Sequence, residues 1–127
     1  MTNKFISRIF LACILWSIFI LVICLLPSYD IPDPGFFIPY LDKYVHALMF
    51  FVFNILLCSV LIVKFRLKNL SLFFLSTFIS FLYGGIIELL QQYSIGRSCD
   101  VYDLIADLIG AFFATLLCIF VRKIFRV

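Results

Sequence analysis

Four long apolar stretches decide what this chain can fold into. They run over about residues 9–26, 44–63, 70–93 and 100–121, separated by short polar breaks. A helix needs about 20 such residues to cross a hydrocarbon core roughly 30 Å thick. The expected fold is therefore all-α: an integral membrane bundle of four transmembrane helices, one domain over residues 1–127. Composition agrees, with 65% of residues hydrophobic and a mean hydropathy of +1.21, where a soluble domain carries roughly half.

The first run, Ile9 to Leu26, follows Lys4 and Arg8. Its length of about 18 residues exceeds the usual apolar core of a signal peptide, and Leu-Leu-Pro-Ser-Tyr-Asp follows it in place of a small-residue cleavage site. A retained first helix is expected, ended by Pro27, which has no amide to continue it. Pro27, Pro32, Pro34, Pro39 and Gly35 then exclude a regular helix up to Leu41. Phe36, Phe37 and Ile38 make that segment apolar enough to lie along a membrane surface. Trp16 reads as lipid-facing or core.

Four of the five cysteines, Cys13, Cys24, Cys58 and Cys118, lie inside apolar runs and read as small hydrophobes. Cys99 sits in a polar loop. With no CxxC pair and one histidine, no zinc set is expected.

Charge sets the expected orientation. Lys4, Arg8, Lys64, Arg66, Lys68, Arg122, Lys123 and Arg126 flank one side with no acid among them. Lys43, Arg97 and all seven acids flank the other. Basic flanks stay in the cytoplasm. Both termini are thus expected to be cytoplasmic, with the polar residues on the extracytoplasmic side of the cell membrane. Tyr29, Tyr40, Tyr44, Tyr93 and Tyr102 gather on that outer side, as an interfacial belt does.

The stretch Glu88 to Gly110 holds Glu88, Gln91, Gln92, Arg97, Asp100, Asp103 and Asp107 at the mouths of two apolar runs. Such side chains are costly in lipid, which marks them as functional candidates. Helix rise puts Glu88 about 7 Å and Asp107 about 10 Å below the outer helix ends, level with His46 on the second helix. Asp100, Asp103, Asp107, Gly110 and Ala114 form one helical stripe, and Gly84, Glu88 and Gln91 another. Small residues let helices approach closely. The stripes therefore predict a polar pocket between helices, open outward and closed below by glycine packing.

The candidate ligand-binding residues are Asp42, Lys43, His46, Glu88, Gln91, Arg97, Asp100, Asp103 and Asp107. His46, Glu88 and Asp103 are also candidates for acid–base chemistry. Arg97 suits either bidentate recognition of a phosphate or carboxylate, or neutralisation of Asp100 and Asp103. The aspartate set could hold a hard divalent cation through oxygens, but the reading adopted is no metal and no cofactor. Lys64, Arg66 and Lys68 read as a topology signal with weak affinity for anionic lipid.

The motifs, taken in order, are Asp42-Lys43-Tyr44-Val45-His46-Ala47-Leu48-Met49-Phe50, Glu88-x-x-Gln91, Gly96-Arg97-x-x-Asp100-x-x-Asp103, and Asp107-x-x-Gly110. In this order and spacing, over roughly Asp42 to Ala114, the chain resembles the VanZ-like family. That family takes its name from an accessory protein of glycopeptide-antibiotic resistance. The family commonly has Asn where Asp107 stands, which adds a negative charge here. The resemblance implies a small polytopic cell-envelope protein linked to such resistance. It supplies no reaction.

Three functions remain open. The pocket could bind the anionic head group of a membrane lipid or lipid-linked wall precursor through Arg97, Lys43 and His46. It could be a membrane-embedded enzyme, with Glu88 or His46 as general base and Arg97 steadying negative charge, acting on a lipid or cell-wall ester or phosphate. It could serve a small proton-coupled carrier, which at four helices would call for a homo-oligomer. Ser94, Ser98 and Cys99 lack a paired base in sequence, which favours the first. No nucleic-acid partner is expected.

Overall fold

The computed structural model describes residues 3–27, 30, 35 and 38–125. Tyr29, Pro32, Pro34, Phe36, Phe37 and Arg126 lie outside the described residues, and so does most of the expected surface-lying segment. Four helices carry the fold: α1 (Asn3–Leu25), α2 (Leu41–Phe65), α3 (Asn69–Gln91) and α4 (Val101–Phe125). All four are long and apolar enough to cross a membrane. There is no strand among the described residues.

The helices do not stop where the apolar runs stop. α2 begins at Leu41, because the amides of Lys43 and Tyr44 both find the Tyr40 carbonyl and Asp42 stands in the first turn, where an acid is favoured by the helix dipole. α4 begins at Val101 because Asp100 caps it. The Asp100 carboxylate accepts the Tyr102 amide at 2.8 Å, and its carbonyl accepts the Asp103 amide at 3.0 Å. α3 ends at Gln91 and gives way to the polar turn that leads into α4.

α2 and α4 are the central pair. A Cβ at Gly110 would overlap the Ala47 carbonyl oxygen and lie 2.9 Å from its carbon. Only glycine allows the two backbones this close. Along its length α1 is tied by side-chain bonds to backbone: Trp16 Nε1 donates to the Met49 carbonyl at 3.0 Å, and the Tyr83 hydroxyl donates to the Ser17 carbonyl at 2.5 Å. Trp16 is thus a tie between α1 and α2.

Phe50, Ile20, Leu72 and Ile87 are fully buried between helices, whereas Phe74, Phe78, Phe113 and Phe120 point outward. Outward phenylalanines are what a lipid solvent favours. Midway along the bundle lies a buried polar layer. Asn54 Nδ2 donates to the Ala111 carbonyl at 2.7 Å and to Thr115 Oγ1. Ser80 Oγ donates to Asn54 Oδ1 at 3.1 Å, and Ser76 Oγ lies 3.0 Å from Thr115 Oγ1. In hydrocarbon such groups have no water to bond, so they staple α2, α3 and α4 to one another.

Candidate functional site

The polar end of the bundle is built first by closing α1. A helix leaves its last carbonyls without amide partners, and Pro27 cannot supply one. Three side chains from the end of α3 and the turn after it fill that need. Gln91 Nε2 donates to the Cys24 carbonyl at 3.0 Å, Ser94 Oγ to Leu25 at 3.1 Å, and Arg97 Nε to Leu26 at 3.3 Å. Gln91 is buried here, with its Nε2 engaged by the end of α1. The Ser94 hydroxyl is likewise engaged by a carbonyl. The Arg97 cation also complements the negative end of the α1 dipole.

Above the helix mouths, Lys43 gathers the outer acids. Its Nζ lies 2.7 Å from Asp42 Oδ2, 2.5 Å from Asp100 Oδ2 and 2.6 Å from Asp103 Oδ1. One ammonium has three protons to give and here meets three carboxylates. The hydrogen bond from Lys43 holds the Asp100 carboxyl below the usual carboxylate range. Lys43, not Arg97, neutralises Asp100 and Asp103. Among the described residues Arg97 forms no salt bridge.

Below that cap, three helices bring one side chain each to a common point. His46 of α2, Glu88 of α3 and Asp107 of α4 are all buried, and a ligating atom from each lies within 4.8 Å of the others. His46 Nδ1 is 3.0 Å from Asp107 Oδ1, and His46 Nε2 is 3.8 Å from Asp103 Oδ2. Glu88 Oε2 accepts the Asp100 amide at 2.9 Å. Glu88 Oε1 and Asp107 Oδ2 are buried with no hydrogen-bond partner among the described residues. A Cβ at Gly84 would sit 2.8 Å from Asp107 Oδ2, so that oxygen is turned toward α3. Asp42, Asp100 and Asp103 make a second cluster with metal-ligating spacing, but Lys43 already stands among them.

Beside this cluster a cavity of about 470 Å³ opens between the end of α1 and the start of α2. Ile23, Leu26, Leu41, Val45 and Met49 line its apolar part, and Asp30, Asp42, His46 and Arg97 its polar part. His46 is the one residue that both lines this cavity and belongs to the buried trio.

The nine sequence candidates therefore part into three groups. Gln91 and Arg97 serve the end of α1, Lys43 ties Asp42, Asp100 and Asp103, and Glu88, Asp107 and His46 meet inside. Asp42, His46 and Arg97 face the cavity. The sequence reading passed over the Asn54, Ser76, Ser80 and Thr115 layer. An asparagine within an apolar run, with serines four apart on the next, was the available signal. Tyr40, Tyr44, Tyr93 and Tyr102 are all exposed around the same end.

A family model described as VanZ/LLP1 matches residues 8–122, nearly the whole chain. No curated protein and no solved structure matches it significantly.

Proposed function

The chain belongs to the VanZ/LLP1 family of membrane proteins, and we propose that it binds the anionic head group of a membrane amphiphile, a phospholipid or a lipid-linked wall precursor. One observation carries this reading: the cavity between α1 and α2 joins apolar walls to a polar end holding Arg97 and His46. An amphiphile has the same two-part chemistry. Arg97 is anchored through Nε to the Leu26 carbonyl, which leaves the terminal nitrogens of a planar fork for a phosphate or carboxylate. Lys43 is withdrawn from this task by its three carboxylates. Asp30 and Asp42 at the same rim would disfavour further negative charge beside the group that Arg97 meets.

The basic flanks at the opposite end support an orientation with both termini in the cytoplasm and this cavity on the extracytoplasmic side. The family's name carries a physiological reading, a contribution to glycopeptide resistance through a wall precursor or the lipids around it.

Lipid mass spectrometry of the detergent-purified protein tests the proposal. An anionic amphiphile is expected to co-purify. Arg97→Gln should reduce its retention about tenfold or more, since a charged hydrogen bond contributes about 1.5–3 kcal/mol. Arg97→Lys should give an intermediate loss. Equal retention by all three proteins, each monodisperse, would remove the reading.

A further inference from the structure

We propose that His46, Glu88 and Asp107 form a binding site for one divalent transition-metal cation of the manganese or zinc class. This is a site separate from the α1–α2 cavity, and its argument does not depend on what that cavity holds. The first observation is geometric. Three helices each present one metal-ligating side chain, and the three ligating atoms lie within 4.8 Å of one another. Donors on a single ion with bonds of about 2.0–2.2 Å sit roughly 3–3.5 Å apart. Small side-chain rotations of a glutamate and an imidazole close that difference.

The second observation is independent of the first and points to a missing positive charge. Glu88 is 3% exposed and Asp107 0%, yet Glu88 Oε1 and Asp107 Oδ2 have no hydrogen-bond partner among the described residues. Buried carboxylates are paired or coordinate metals, because leaving them bare costs several kcal/mol. Each carboxylate has one oxygen engaged, Asp107 Oδ1 by His46 Nδ1 at 3.0 Å and Glu88 Oε2 by the Asp100 amide. A single imidazole thus faces two buried carboxylates, and the other cations nearby are occupied. Lys43 stands with Asp42, Asp100 and Asp103, and Arg97 faces the cavity. Asp103 Oδ2, 3.8 Å from His46 Nε2, adds a further oxygen at the margin.

The ligand set selects the ion. One imidazole with two carboxylates is too oxygen-rich for copper(I) and too nitrogen-bearing for calcium or magnesium, which leaves ions such as Mn²⁺ or Zn²⁺. Backbone support is already present. The Asp100 amide holds Glu88 Oε2 at 2.9 Å, which fixes the glutamate while leaving Oε1 to ligate. Gly84 gives Asp107 Oδ2 the room to lie against α3.

The test uses the full chain purified in detergent without chelator. Metal content is measured by plasma mass spectrometry, then Mn²⁺ and Zn²⁺ affinity and Tm are measured after EDTA treatment and exchange. The wild type is expected to bind one equivalent and to gain several degrees in Tm on adding the ion. Glu88→Gln and Asp107→Asn should weaken binding at least about tenfold and lose the Tm gain. Asp42→Asn, which alters the outer cluster and the cavity rim but none of the three ligands, should keep both the metal and the Tm gain. A wild type that takes up neither ion and shows no Tm response would overturn the site. So would binding that survives both Glu88→Gln and Asp107→Asn, which would mark adventitious capture by surface acids. A third contrary result is a higher Tm for Glu88→Gln than for a metal-indifferent wild type, because that would show a proton shared by the two carboxylates in place of a metal.

Discussion

At the scale of single residues, Lys43 shows what spacing can and cannot convey. Its neighbour Asp42 is adjacent in sequence, but Asp100 and Asp103 reach it only because α2 and α4 pack side by side. Periodicity placed His46, Glu88 and Asp107 at one level in three helices, and the three do meet. It gave no means of choosing between Lys43 and Arg97 as the partner of the outer aspartates, since that choice depends on rotamers and on the turn before α4. Nor could it show that Gln91 faces a helix end. The Lys43–Asp100 pair has a definite pH signature. Lys43 depresses the folded-state pKa of Asp100, so the stabilisation is present above the ordinary aspartate value of about 3.9 and is lost as pH falls through the lower folded value. Thermal melts of wild type and Asp100→Asn in detergent should differ by a constant margin from pH 7 down to about 4.5 and converge below pH 4. A margin that vanished already near pH 6 would count against this pairing.

At the scale of helices, hydropathy located all four elements but misplaced their ends. Apolar runs report the length soaked in hydrocarbon, whereas helix ends are set by capping groups such as Asp100 and by carbonyls such as that of Tyr40. Packing between helices was legible where it rests on small residues. The stripe containing Gly110 does face α2, and the contact is backbone to backbone. Gly110→Ala should therefore separate α2 from α4 and destabilise the protein by about 1–3 kcal/mol, seen as a lower Tm. The same substitution at Gly85, where a Cβ meets nothing within 4 Å, should leave Tm within a degree or two. Asn54 connects three helices through Ala111, Thr115 and Ser80. Asn54→Leu should cost about 1–2 kcal/mol, because interhelical hydrogen bonds in membranes are individually modest. If Asn54→Leu melted like wild type, the layer would be incidental to stability.

For the molecule as a whole, two ends of one bundle have opposite chemistry. One end is basic and carries the Lys64, Arg122 and Lys123 ends of α2 and α4. The other holds the acids, the exposed tyrosines, the α1–α2 cavity and the buried His46–Glu88–Asp107 trio. The head-group reading proposed for this chain requires that the second end open to the outside, where an envelope amphiphile presents its head group. Cys99 offers a native reporter, since it is exposed in the turn before α4, whereas Cys13, Cys24 and Cys58 are buried and Cys118 partly so. Intact cells are treated with a membrane-impermeant maleimide, with Cys99→Ser as the control. Labelling of wild type in intact cells, absent from the control, is the predicted result; labelling of Cys99 only after the membrane is permeabilised would contradict the account.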